Sequence, residues 1–300
     1  MFYISFDSLF QHPLPESHRF PMLKYELIPK QLLHEGIIEE ENLFEPIAAK
    51  DSEIIVTHSI NYLNQLKNLE LEPAHIRRIG FPLSSQLVER ELKIIQGTLD
   101  CARFAFQFGI SMNVAGGTHH AFADKGEGFC LLNDMAFAAN MLIKQGLAKK
   151  ILIIDLDVHQ GNGTASIFKN NPQVFTFSMH GRDNYPFHKE ESDLDVPLEN
   201  GMLDKEYLYL LEKNLNFIFE TNFPDFVFYL CGVDILATDK LGKLNISEEG
   251  CKKRDALVLN TCKQYNIPIT CALGGGYSPN ISDIVNAHCN TFKLAQNIFF

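Results

Sequence analysis

Residues 151–163 read ILIIDLDVHQGNG, and the fold turns on how that stretch is read. Ile151, Leu152, Ile153 and Ile154 form an apolar run with no polar alternation, the pattern of a strand covered on both faces in a parallel sheet. The run then breaks into Asp155, Asp157, His159 and Asn162. Side chains of an extended segment alternate between faces, so Asp155, Asp157 and His159 are predicted to project to one side and converge beyond the strand. A carboxylate and an imidazole so placed suit zinc, and they need a third ligand from elsewhere in the chain.

Apolar and amphipathic segments alternate on both sides of this strand. Before it, residues 1–10 read as a first strand, 20–37 as a helix, 53–56 as a second strand, 87–108 as a helix ended by Gly109, and 111–115 as a strand. Residues 68–85 are charged and proline-containing and read as an exposed loop of the kind that lines a binding mouth. Asn133 is predicted to cap a helix running to Ile143. Beyond the central strand come a short helix near 165–168, a strand at 174–178 and an irregular stretch at 181–201. A helix at 205–220, a strand at 226–231, a helix at 247–265, a strand at 267–273 and a helix at 281–294 follow.

This alternation predicts an α/β fold, three layers (α/β/α) around a mostly parallel central sheet, in one domain spanning 1–300. The polar residues fall just past predicted strands: His119 and His120, Asp157 and His159, Ser178 and His180, Asp234, and Tyr277. Sites in open parallel sheets form at the carboxyl ends of strands, so these loops are expected to share one pocket.

Composition narrows the class. A chain of 300 residues with 46% hydrophobic content can bury a large core. A formal net charge of −11 argues against a nucleic-acid grip, which needs basic patches to neutralise phosphates, and would sooner attract a cationic partner. The seven cysteines include no C-x-x-C pair, which fits reduced thiols in a cytoplasm-like compartment. The N-terminus lacks the basic flank of a signal peptide, and no uncharged apolar run is long enough to suggest a membrane span.

Three further groups carry candidate chemistry. Asp234, just past the 226–231 strand, supplies the missing ligand; two aspartates and one histidine leave a zinc position open, as catalytic sites require. Taken singly, each aspartate reads more readily as a cap or turn residue; together with His159 at strand ends they read as a metal site. His119 and His120 follow a Gly-Gly turn, so both imidazoles can enter a cleft as general base and electrostatic partner, with Asp155 and Asn162 placed to orient them. A surface pair is the alternative. Tyr277, behind three glycines, is either an oxyanion donor swung into the site or a packed ring at a tight strand exit.

The segments GGTHHAF, GFCLLND, DLDVHQGNG, CGVDILATDKLG and LGGGYSP, in this order, resemble the zinc-dependent histone deacetylase family, with HPLPESHRF and THSINYL as weaker matches. SMHGRDNYPF and SDLDVPL are most similar to its class IV branch and bacterial relatives. The resemblance implies a hydrolase that removes an acetyl or longer acyl group from lysine. It makes Asp157, His159 and Asp234 the ligands of one Zn2+, His120 the general base, His119 with Asp155 its electrostatic partner, and Tyr277 the oxyanion donor. Gly128, Phe129 and Phe187 would wall the acyl-lysine tube, and Arg19 would line an acetate exit. Potassium would bind at Asp155, Asp157, His159, Ser178 and Met179. The implied partners are acylated lysine in proteins, histones among them, or an acetylated amine; neither nucleic acid nor membrane is expected as a partner.

Two departures stand out. Many family members carry aspartate where this chain has Asn162, and residues 68–85 contain no clear counterpart of the acidic residue that grips a peptide backbone in some of them. Other readings are an acetylpolyamine or small-molecule amidohydrolase, an arginase-like binuclear manganese hydrolase, and a zinc-containing module that holds acyl-lysine without cleaving it.

Overall fold

The computed structural model describes residues 1–300. In chain order the elements are β1 (Tyr3–Ser5), α1 (Lys24–His34), β2 (Leu43–Phe44), α2 (Asp51–Ile54), α3 (Ile60–Lys67), α4 (Pro73–Ile79), α5 (Ser85–Phe108), β3 (Ile110–Asn113) and α6 (Asp134–Lys144). They continue with β4 (Ile151–Asp155), α7 (Asn162–Phe168), β5 (Val174–Gly181), β6 (Leu194–Leu198), α8 (Asp204–Asn222), β7 (Phe226–Leu230), α9 (Glu248–Tyr265), β8 (Ile269–Ala272) and α10 (Ile281–Phe299). The predicted caps are present: the side chains of Asn133 and Ser247 accept the backbone N–H of Ala136 and Gly250.

The strands form one eight-stranded sheet in the order β2-β1-β3-β8-β7-β4-β5-β6. Every pairing is parallel, so the sheet is wholly rather than mostly parallel. β4 lies between β7 and β5, with Ile151 level with Phe226 and Val174. The fully buried runs ILIID, FVFYL and ITCA follow from helices covering both faces. β3 and β4 are consecutive in the chain but separated in space by β8 and β7. All four strands release their loops at the same edge, around the point where the strand order reverses, which is where doubly wound sheets open a crevice. A continuous core of 80 buried hydrophobic residues underlies it. All seven cysteines are buried and unpaired, and no helix is long and apolar enough to cross a membrane.

Three segments differ from the sequence-based expectation. Residues 53–56 are no strand; Glu53 and Ile54 bond back to the Lys50 carbonyl and close the short helix α2. The second strand is Leu43–Phe44, too short to produce a periodic pattern. The loop at 68–85 contains α4, with proline in its first turn and Gly80 as a left-handed cap. The irregular stretch at 181–201 contains β6, an edge strand in which Pro197 is tolerated because one side of the backbone is unpaired.

Candidate active site

The loop after β4 and the loop after β7 bring Asp157, His159 and Asp234 together, with one ligand atom from each lying within 4.8 Å of the others. His159 Nδ1 is 2.9 Å from Asp157 Oδ1 and 3.1 Å from Asp234 Oδ2. The remaining carboxylate oxygens are anchored by backbone donors: Gly275 N–H to Asp157 Oδ2 at 2.8 Å, and Val158 N–H to Asp234 Oδ1 at 2.9 Å. Gly275 is required by close approach, because a Cβ there would sit 2.0 Å from Asp234 Oδ2.

Electrostatics show what this cluster wants. Burial, then the neighbouring Asp157 charge, pushes the Asp234 carboxyl up to about 7. Burial alone would lower His159, but its bonds to Asp157 and Asp234 override it and hold the imidazole up to about 10. Two carboxylates packed this tightly call for a cation between them. Two oxygens and one imidazole nitrogen with pre-anchored outer atoms fit a divalent ion such as zinc.

The loop after β3 carries His119 and His120, their rings 4.1 Å apart. The Gly116-Gly117 turn before them packs so closely that a Cβ on Gly117 would lie 2.7 Å from the Gly274 backbone. Asp155, at the end of β4, turns away from the ligand trio towards His119, and its Oδ2 lies 2.7 Å from His119 Nδ1. Strand β4 ends at Asp155, so the alternation expected to bring Asp155 together with Asp157 and His159 does not extend past it, and Asp155 is not part of the trio. Burial opposes charge on His119, yet Asp155 overrides it and raises the imidazole above its ordinary value.

His120 goes the other way: burial, then the neighbouring His119 and His159, hold it well below the ordinary value. Its Nδ1 bonds to Asn162 Oδ1 at 2.7 Å. The Asn162 amide in turn donates to Glu127 Oε1 at 2.7 Å, which also accepts from the Tyr185 hydroxyl at 2.7 Å. The result is a neutral imidazole with Nε2 left free, the form a general base needs.

Tyr277 stands across the site, its ring centroid 6.3 Å from that of His159. Burial, then Asp157 and Asp234, hold its hydroxyl well above the ordinary range, so it stays a donor. Asp239, on the loop after β7, fixes it by accepting its backbone N–H at 2.6 Å, and Thr238 bonds to Ser278 beside it at 2.8 Å. A cavity of about 410 Å³ opens above these groups and is lined by Gly128, Phe129, Phe187, Tyr185, His120 and His159, among others. Ser178 and Met179, on β5, are buried; Ser178 pairs in register with Asp155, and its hydroxyl lies 2.9 Å from His180 Nδ1.

Arg19 is not where the resemblance put it. It is exposed at this mouth, its guanidinium 5.1 Å over the Phe129 ring. A buried arginine on α5, Arg90, lines a cavity of about 40 Å³ behind the site and donates to the Phe10 carbonyl at 2.8 Å. Lys24 is buried nearby, its Nζ donating to the Gly274 carbonyl at 2.7 Å and its pKa lowered by burial to about 8. Glu127, Tyr185, Asp239, Lys24 and Arg90 were not picked out from the sequence. Asp239 and Tyr185 lie inside the segments CGVDILATDKLG and SMHGRDNYPF, and Glu127 directly precedes GFCLLND; Lys24 and Arg90 had no such local signal.

A sheet with this strand order, gathering carboxylates and imidazoles at its carboxyl edge, puts the protein in the arginase- and deacetylase-like class of α/β folds. The histone deacetylase domain profile matches residues 18–292. Histone deacetylase 2 of Arabidopsis thaliana is 32% identical over 280 residues, covering 89% of this chain and 72% of that one. An uncharacterized protein of Picosynechococcus sp. is 43% identical over 287 residues, covering 96% of each. Among solved structures, an HDAC homolog complexed with SAHA superposes with a TM-score of 0.85 at 25% identity, over 99% of this chain and 84% of that one. An HDAC homolog from Aquifex aeolicus gives 0.84 at 26% identity, over 98% and 83%. The chain belongs to the histone deacetylase family, whose members are deacetylase hydrolases acting on acetylated substrates.

Proposed function

We propose that the protein is a zinc-dependent deacylase that hydrolyses the amide of an acetyl- or longer acyl-lysine in a protein. The observation that carries this reading is the placing of a neutral, oriented His120 beside the Asp157, His159 and Asp234 trio in one pocket with Tyr277. An amide is inert in water, so its carbonyl must be polarised, a water activated and the departing nitrogen protonated. Zinc, when held by Asp157, His159 and Asp234, supplies Lewis acidity and lowers the pKa of water. His120 Nε2 takes the proton of the attacking water and returns it to the leaving amine. His119, whose pKa Asp155 raises, favours the negative charge that gathers during attack, and the Tyr277 hydroxyl donates to the carbonyl oxygen as that charge forms. Gly128 and Phe129 flank the acyl-lysine stem, with Phe187 at the rim. Potassium is assigned to Asp155, Asp157, His159, Ser178 and Met179, a placement supported by the register of Asp155 with Ser178.

One such trio is found in the chain, and an amide, Asn162, stands where a second metal would call for a carboxylate, which favours one zinc over two manganese ions. Purified protein is expected to hold one zinc per chain by metal analysis. Tyr277→Phe and His120→Ala should each lower kcat on acetyl-lysine peptides by about 10²–10⁴-fold. Wild-type rates in either variant, or two manganese ions per chain, would defeat the assignment.

A further inference from the structure

The mouth of the pocket carries the opposite sign to the molecule. The chain's formal net charge is −11, yet the ionisable lining of the mouth, histidines and Tyr277 aside, is Arg19, Arg78 and Lys243 against Asp183, with the Tyr185 hydroxyl neutral. The three cations come from separate segments: the stretch before α1, the last turn of α4 and the loop after β7. Convergence from three segments is not what a solvated helix face produces by chance. None of them forms an ion pair with a carboxylate. Arg19 lies over the Phe129 ring, and Lys243 Nζ donates to the backbone carbonyl of Asp183 at 2.8 Å. The Asp183 carboxylate itself is engaged by the Asn200 amide at 2.8 Å.

We propose that this mouth selects an acyl-lysine flanked by acidic residues. The inference rests on the acyl-lysine reading above and narrows it. Range decides which charge matters. At physiological ionic strength the screening length is about 8 Å, so the distant carboxylates behind the net charge are largely invisible to a peptide seated in the mouth, and the local cations are not. A polyamine or a lysine-rich tail would meet three cations there, while glutamates beside the acyl-lysine would meet their counter-charges. Each exposed pair is worth a factor of about 1.5 to 5, so exchanging attraction for repulsion at two flanking positions amounts to about tenfold.

The test uses zinc-loaded full-length protein and three peptides of one sequence, in which both neighbours of the acetyl-lysine are Glu, Gln or Lys. Binding to the Tyr277→Phe protein is read by fluorescence anisotropy, and kcat/KM on the wild type is referenced to a neutral acetyl-lysine amide. The Glu peptide should exceed the Lys peptide by about tenfold at low salt in both readouts, with the ratio shrinking in 0.5 M salt, roughly a threefold-shorter screening range than at low salt. Arg78→Glu with Lys243→Glu should reverse the order. Lys149→Glu with Lys213→Glu, an equal change in charge at positions outside the mouth, should preserve it. Equal binding of the three peptides, or preference for the Lys peptide, overturns the inference. Hydrolysis of the neutral amide without charge preference sinks the mouth assignment alone; charge-ordered binding with no hydrolysis of any amide sinks the deacylase reading and leaves the mouth assignment standing.

Discussion

Asn162 stands where many family members carry an aspartate, and its surroundings explain how an amide can serve there. A side-chain amide has an acceptor end and a donor end. The donor end is committed to Glu127 at 2.7 Å, so the acceptor end must face His120, and His120 Nδ1 must carry the hydrogen. The charge an aspartate would have supplied thus lies one residue further back, on a carboxylate only 8% exposed and steadied by the Tyr185 hydroxyl. Glutamine at 127 can present its own donor to Asn162, so Glu127→Gln frees the amide to turn and release the imidazole from one tautomer. The expected loss is about 10- to 100-fold in kcat with KM little changed. Removing a nearby negative charge also disfavours imidazolium, so the acid limb of the pH–rate profile should move to lower pH. Adding Asn162→Asp to Glu127→Gln places the charge directly on His120 and should restore kcat while moving that limb to higher pH. An unchanged profile in Glu127→Gln would show that the base does not use this relay.

Among the elements, α9 does the most to hold the site without touching it. Arg254 is completely buried and donates to the Gly232 carbonyl at 2.5 Å and to the Leu156 carbonyl at 3.3 Å, tying the strand exits that carry Asp234 and Asp157. Its partner Asp255 also accepts from Tyr229 at 2.5 Å and Thr291 at 2.7 Å. Arg254→Met leaves a buried carboxylate unpaired and should cost about 3–5 kcal/mol in denaturant unfolding, whereas Arg254→Met with Asp255→Leu should recover much of it. A single-variant loss under about 1 kcal/mol would contradict that role. None of this was legible in KKRD, residues 252–255, which reads as a solvated run; Lys252 and Lys253 are exposed while Arg254 and Asp255 are not. Strands buried on both faces were legible because burial leaves an unbroken apolar run, as in β4, β7 and β8. Edge strands β2 and β6 were not, because half-exposed residues lose that run. The residues 53–56 misled through β-branched composition, since propensity yields to where the chain is packed. That Asp157, His159 and Asp234 gather in one place was legible because each sits just past a strand; Lys24 was not, because its partner Gly274 is 250 residues away.

Across the whole molecule, folding withdraws most of the chain's histidines from water, and this sets how stability responds to acid. His12, His58, His120, His180 and His288 are all lowered, with burial first among the causes in each. His58 shows the consequence most simply. It precedes α3 and joins it to the loop from β3, with Nδ1 donating to the Phe122 carbonyl at 3.0 Å and Nε2 accepting the Asn133 N–H at 3.0 Å. The neutral ring satisfies both neighbours; a second proton would set a donor against a donor. Burial pushes its pKa from 6.5 to about 4. The folded state therefore binds fewer protons than the unfolded chain between those values, so the His58 contribution is complete above pH 6.5 and is lost as pH falls towards 4. That difference corresponds to roughly 3 kcal/mol. His180, lowered to about 4, acts in the same direction; the raised His119 and His159 oppose it in metal-free protein, so the comparison belongs at fixed zinc loading. In His58→Gln the plot of unfolding free energy against pH should be shallower by about one proton between pH 6.5 and 4. In the wild type the His58 ring followed by NMR should remain a neutral Nδ1–H tautomer at pH 5. A His58 midpoint near 6.5, together with an unchanged slope in the variant, would mean that the join between α3 and the histidine loop is open to water and does not set the acid limit of the fold.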